Sequence, residues 1–160
     1  MIVADASPLI FLGQLGRLDV LLAIFGSVIV PSAVFAEATA SPGRPGAQAV
    51  LRAHSAGLFA VELVGPGRAS ELSELVDPGE AEAIALALER GIPRVLMDDL
   101  AGRGLARRLG LTPIGTLGVL VQARRMGIVE ELPPLLDALE SIGFRMTAAL
   151  RQETERLGLS

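Results

Sequence analysis

At 160 residues with no cysteine, the chain fits one domain that buries its own core without disulfides, and it offers neither a thiolate nucleophile nor a Cys-type zinc site. Fourteen basic residues against 18 acidic ones give a net charge of −4, which argues against holding nucleic acid by bulk electrostatics and leaves that role to local patches. All 14 basic residues are Arg; without Lys, P-loop nucleotide hydrolysis, Schiff-base chemistry and the receiver-domain phosphoacceptor site drop out.

Mean hydropathy is high at +0.52, yet apolar runs such as Val20 to Phe25 and Val28 to Pro31 are separated by Gly26-Ser27. None approaches the roughly 18 to 20 apolar residues of a spanning helix. The first residues carry no cationic start and are interrupted by Asp5, so no signal peptide is expected and the cytoplasm is the expected location.

Met1 to Ala4 reads as a short buried strand, and Ser7-Pro8 opens a helix with Ser as cap and Pro at the first helical position. Asp5 therefore stands where strand becomes helix. A second helix is expected over about Leu15 to Phe25, a strand at Val28 to Val30, and a helix from Pro31-Ser32 that carries Glu37. The loop Ser41-Pro-Gly-Arg-Pro-Gly46 precedes a helix from about Ala47 to Ser55, a strand near Phe59 to Val64 and a second loop, Gly65-Pro-Gly-Arg68. Asp77-Pro-Gly-Glu80 has the form of a helix start with a cap and a reciprocal acid, continued by Ala81 to Arg90 and stopped at Gly91. Val95 to Met97 is a strand running into Asp98-Asp99. Leu100 to Leu109 is helical, Leu111 to Ile114 a strand, and Gly115-Thr116 opens a helix through Arg125. Beyond about residue 128 the chain reads as helical pieces, Glu131 to Ile142 and Thr147 to Leu157.

About five short strands alternating with helices predict a three-layer α/β/α domain around a parallel sheet, covering 1–160 with a helical C-terminal part. In such sheets function lies beyond the carboxyl ends of the strands. Asp5 follows the first strand, and Asp98 and Asp99 follow the fourth, so they should share an edge. Glu37 falls on or beside the apolar stripe of its helix, and Glu80 points along the face of Ile84 and Leu88. Gathered carboxylates repel unless a cation compensates them, and hard divalent ions take oxygen ligands. Each acid also has an ordinary structural reading: a helix start for Asp5, a capping acid for Glu80, a strand end for Asp98-Asp99 and plain solvation for Glu82.

The segments Val3-Ala-Asp5-Ala-Ser7-Pro-Leu-Ile10, Pro31 to Glu37, Asp77-Pro-Gly-Glu80-Ala-Glu82-Ala-Ile84 and Val95-Leu-Met-Asp98-Asp99 with Gly102-Arg103 resemble the PIN domains, in particular a bacterial branch related to VapC-type toxins. Gly115-Thr-Leu-Gly118-Val-Leu120 and Gly143-Phe144-Arg145 look like marks of a less characterised PIN-like branch. The resemblance spans nearly the whole chain. It implies a ribonuclease, dependent on Mg2+ or Mn2+, that hydrolyses RNA phosphodiesters by in-line attack of water without a covalent enzyme intermediate. Asp5, Glu37, Glu80 and Asp98 match the family's acidic positions, Asp99 is an additional acid, and Ser7 matches a small polar position beside the metal. The third acidic position is more often Asp in toxin members, so Glu80 departs from the pattern. The resemblance further implies a toxin of a toxin-antitoxin pair, with a small antitoxin protein and a homodimer as partners. The apolar helices near Leu18 to Phe25 and Leu117 to Val121 would offer surfaces for these, unless core packing takes them. Arg103, Arg107 and Arg108 stand at helical spacing for contact with an RNA backbone, as does the pair Arg124-Arg125, with a solvated helix face as the ordinary alternative.

Rival chemistries are weak. Gly102-x-Gly104 lacks the third small residue of a dinucleotide fingerprint, because Arg107 stands there. His54, the one histidine, has no ligand spacing, no GxSxG occurs, and without Trp or Tyr a base-stacking platform has little to build on. The stronger competitor is a catalytically weak or inactive PIN-like module that binds RNA or a protein.

Overall fold

The computed structural model describes residues 1–159. Five parallel strands, β1 (Ile2–Ala4), β2 (Val28–Pro31), β3 (Ala60–Glu62), β4 (Arg94–Leu96) and β5 (Thr112–Ile114), form one sheet in the order β3-β2-β1-β4-β5. Between them run the helices α1 (Ala6–Gln14), α2 (Asp19–Phe25), α3 (Ser32–Ala38), α4 (Pro45–Ser55), α5 (Arg68–Leu72), α6 (Pro78–Arg90) and α7 (Leu100–Arg108), and α8 (Thr116–Arg125) follows β5. Two more, α9 (Pro133–Ser141) and α10 (Ala148–Leu159), make up the helical C-terminal part. No helix among the described residues is long and apolar enough to cross a membrane.

Strand side chains alternate between faces, so each strand feeds two cores. Ile2, Ala4, Val28, Val30 and Leu96 face one side, where α1, α2, α4, α8 and α9 deliver Leu9, Leu12, Val20, Val50, Leu120 and Leu139. Val3, Ile29, Val95 and Met97 face the other, against Ala83, Ile84 and Leu86 of α6 and Leu105 of α7. Burial on both faces explains why the strands read as continuous apolar runs, and it makes the sheet the middle of three layers.

Several local expectations change. The chain enters α1 two residues earlier than Ser7-Pro8 suggests: Asp5 holds the N-cap position, and Pro8 sits inside the first turn, where a missing N–H costs no intrahelical bond. The expected helix from Leu15 starts only at Asp19, because Gly16 at φ +70° makes a turn first. The short α5 falls in a stretch where no element is expected. The helices around Leu18 to Phe25 and Leu117 to Val121 do not form a free partner surface, since Val20, Leu21, Phe25, Val119, Leu120 and Val121 are all buried and α2 packs on α8.

Candidate active site

The strand order decides where the acids meet. From β1 the sheet grows through β2 and β3 on one side and through β4 and β5 on the other, so the connections part between β1 and β4, the switch point at which open α/β sheets form their crevice. Ala4 pairs with Leu96 across this boundary, and the Asp5 backbone N–H donates to the Leu96 carbonyl at 2.8 Å. Asp5 and Asp98 thus leave adjacent strands at the same edge.

Helices α3 and α6 close over this edge. The place a Cβ on Gly79 would occupy lies 2.8 Å from Glu37 Oε2 and 3.3 Å from Asp5 Oδ1, so only glycine leaves both carboxylates their positions. Glu37 itself is exposed to solvent, off the apolar stripe. Gly102 plays the same part for Glu80, whose Oε2 lies 2.8 Å from the corresponding point. Asp5 and Glu80 are each only 6% exposed. Burial first, and then the charges of Glu37, Asp98 and Asp77, push the Asp5 carboxyl up to about 6 against the opposing hydrogen bond from the Ala6 backbone. Burial, followed by Asp99, Asp5 and Asp77, pushes Glu80 up to about 7, with the Asp77 backbone N–H pulling the other way. That last bond is half of the expected capping box. The other half is missing, because the Asp77 side chain caps nothing and joins the acidic group instead.

Asp98 is held differently. Thr116, fully buried at the start of α8, donates its backbone N–H to Oδ1 and its hydroxyl to Oδ2, both at 2.7 Å. Sequence reasoning missed this residue and Asp77; the available signal was Gly115-Thr116 directly after a strand, the same placement that singles out Asp5. Thr116→Val keeps the N–H but removes the hydroxyl, and is expected to cost about 1.5–3 kcal/mol of stability, measured by urea denaturation. A loss below about 0.5 kcal/mol would show that the hydroxyl bond carries little.

Asp99 is exposed, holds the N-cap position of α7 and accepts a hydrogen bond from the Gly102 N–H at 3.1 Å, so it has the structural employment of a helix start. Ser7 is half-buried in the first turn of α1 and its side chain is bonded to none of the acids among the described residues. The arginines divide. Arg103 turns toward the site: the point a Cβ on Gly115 would take is 2.8 Å from Arg103 Nη1 and 2.9 Å from Asp98 Oδ1. Arg107 and Arg108 are exposed in the last turn of α7, and Arg124 and Arg125 end α8, away from the edge where that helix starts. His54 packs beside Phe35 and Phe59 and takes no part.

A model of the PIN domain family matches residues 1–157. The chain belongs to the PIN domain family. Its fold is also that of Mycobacterium tuberculosis VapC20, a Sarcin-Ricin loop cleaving toxin, with a TM-score of 0.51, 18% identity, and coverage of 70% of this chain and 97% of that one. At that identity the likeness is one of fold. No curated protein matches the chain.

Whether a cation suits this PIN domain turns on the donors. They are all carboxylate oxygens, two of them nearly buried and raised in pKa, and among the described residues no ion pair involves Asp5, Glu37, Asp77, Glu80, Asp98 or Asp99. Uncompensated hard oxygen donors of this kind suit Mg2+ or Mn2+. The carboxylates are nevertheless spread, and no three acidic, His or Cys side chains among the described residues form a ready grip for one ion.

Proposed function

We propose that the chain is a divalent-metal-dependent endoribonuclease of the PIN type, working as one domain in the cytoplasm as the toxin of a toxin-antitoxin pair. The observation that carries this reading is the gathering of Asp5, Glu80 and Asp98 at the switch point of the sheet with no ion pair to any of the three among the described residues. Asp5 and Asp98 are the direct ligands for Mg2+ or Mn2+. Glu37 and Glu80 complete the shell directly or through water, Asp99 orients a second ion, and Ser7 hydrogen-bonds a carboxylate or a water. When bound, such ions acidify a water and neutralise charge on the leaving oxygen of a phosphodiester. Thr116 keeps the Asp98 carboxylate turned to its task. Arg103 meets the scissile strand beside Asp98, and Arg107 and Arg108 contact the backbone farther along α7. A small antitoxin protein and a second copy of the chain are the proposed partners.

The spread of the carboxylates favours one other reading, a PIN-like module that binds RNA or a protein without cutting. Two measurements decide between them. Purified protein with mixed RNA and Mg2+ should give discrete fragments that EDTA prevents, and calorimetric titration with Mn2+ should give a saturable isotherm. No fragments and no Mn2+ heat would leave the binding module as the answer.

A further inference from the structure

Beside Asp98 the surface opens into a cavity of about 580 Å3, walled by α7, β5, α8, the segment at Phe144-Arg145 and α10. This volume lies within the ~300–1,000 Å3 range of sites that enclose small organic groups. Much of the wall is apolar, with Leu117 on α8, Leu150 on α10 and Phe144 between them. The Phe144 ring is fixed by an edge-to-face contact with Phe11, centroids 5.0 Å apart, and is half-buried, so part of it stays open to the cavity.

The charges facing this space are not balanced within the fold. Asp98 keeps its negative charge while Thr116 donates to both its oxygens, and Glu153 is paired with Arg156 at 2.5 Å, so one carboxylate charge stands against the arginines. Two guanidiniums remain. Arg103 lines the cavity with its Nη1 beside Asp98, and its side chain makes no hydrogen bond or ion pair among the described residues. Arg145 is exposed and makes no ion pair among the described residues. An occupant therefore has to bring anionic oxygens for the arginines and a flat apolar body for the cleft, and it has to lie against Asp98. A nucleotide meets all three needs: phosphate oxygens accept charge-assisted bonds from guanidinium groups, and bases stack on aromatic and apolar surfaces.

We propose that this cavity is a nucleotide subsite for single-stranded RNA, in which Arg103 and Arg145 hold the phosphate next to the one being cut and the cleft of Leu117, Phe144 and Leu150 receives its base. The assignment rests on the ribonuclease reading for its place in the reaction. Its RNA-binding content is separable from that reading. Residues 143–150, which the cleavage chemistry leaves idle, thereby gain a role in choosing the nucleotide beside the scissile bond.

The test uses the full chain and a fluorescein-labelled mixed-sequence RNA decamer, with binding followed by anisotropy in EDTA so that nothing is cut. Arg145→Ala and Leu150→Glu change exposed positions on the cavity rim, and circular dichroism verifies that both remain folded. Each should raise Kd about tenfold, Arg145→Ala by losing one charge-assisted contact and Leu150→Glu by setting a carboxylate in the cleft beside the phosphate. Arg52→Ala, an equal loss of charge at an exposed position of α4, should not. With Mg2+ the same two variants should raise KM more than they lower kcat. Unchanged Kd in both, or an equal effect of Arg52→Ala, overturns the subsite. So does an affinity for an acidic decapeptide that falls in the variants while RNA binding stays put, which would mark a protein-docking cleft. If wild-type protein never cuts RNA but the rim variants still lose RNA affinity, the ribonuclease reading fails and the subsite stands.

Discussion

Asp5→Asn and Asp98→Asn should each lower the rate of metal-dependent RNA cleavage by about a thousandfold or more, the scale of roughly 4 kcal/mol of lost transition-state stabilisation. Both changes keep side-chain shape and remove the charge that would hold a cation. Their effects on stability should differ in sign. Asp5 is a nearly buried carboxylate crowded by Glu37, Asp98 and Asp77, so an uncharged amide relieves repulsion and raises Tm at pH 8. Asp98 receives two 2.7 Å bonds from Thr116, and an amide turns one donor toward another, so Asp98→Asn should lower stability by about 1–3 kcal/mol. Residual cleavage within tenfold of wild type in both variants would remove these two carboxylates from the mechanism.

Without divalent ions, thermal stability should fall as pH rises from about 4 to 8. The ordinary values of 3.8 for Asp5 and 4.5 for Glu80 are raised to about 6 and about 7 in the folded chain, so the native state holds these protons more tightly than the unfolded state does. The stabilisation is complete below the unfolded values and is lost as pH passes through 6 and 7. Glu153, held below the usual range by Arg156, acts in the opposite sense but in a more acidic window. Together the two carboxyls lie more than four pH units above their ordinary values at about 1.4 kcal/mol each, on the order of 6 kcal/mol before screening; with roughly half of that screened, the drop in Tm should be on the order of 10 °C. Millimolar Mn2+ takes over from the protons as the compensating charge and should flatten the curve at its alkaline end. Scanning calorimetry at pH 5, 6.5 and 8, with EDTA or Mn2+, checks both statements. A Tm that holds level or climbs between pH 5 and 8 in EDTA would mean that the carboxylates are not crowded as described.

Much of this architecture follows from local chemistry. Apolar runs four or five residues long between helix starts announce strands buried on both faces, and Gly91 and Gly110, with φ of 65° and 84°, end helices where expected. Asp5 and Asp98 attract notice because acids directly after strands are costly unless used. Side-chain direction within a helix is also partly readable, and Glu80 does point inward, whereas Glu37 on the shorter α3 is exposed and reaches Asp5 only past the bare backbone of Gly79.

The remainder depended on contacts between segments far apart in the chain. No periodicity announces that β4 lies beside β1, yet this pairing creates the switch point and brings Asp98 within reach of Asp5. The Thr116 clasp on Asp98 spans 18 positions, and Asp77 looked like a helix cap until the approach of α6 to the sheet edge gave it carboxylate neighbours. Among Arg103, Arg107 and Arg108, equal as charges in sequence, only the first faces the cavity by Asp98, because the rotation of α7 on its core selects it. Short-range sterics and apolar spacing thus determined the elements and nominated the acids. Strand order and helix rotation are set by packing across the whole core, and only they decided which charges share one space.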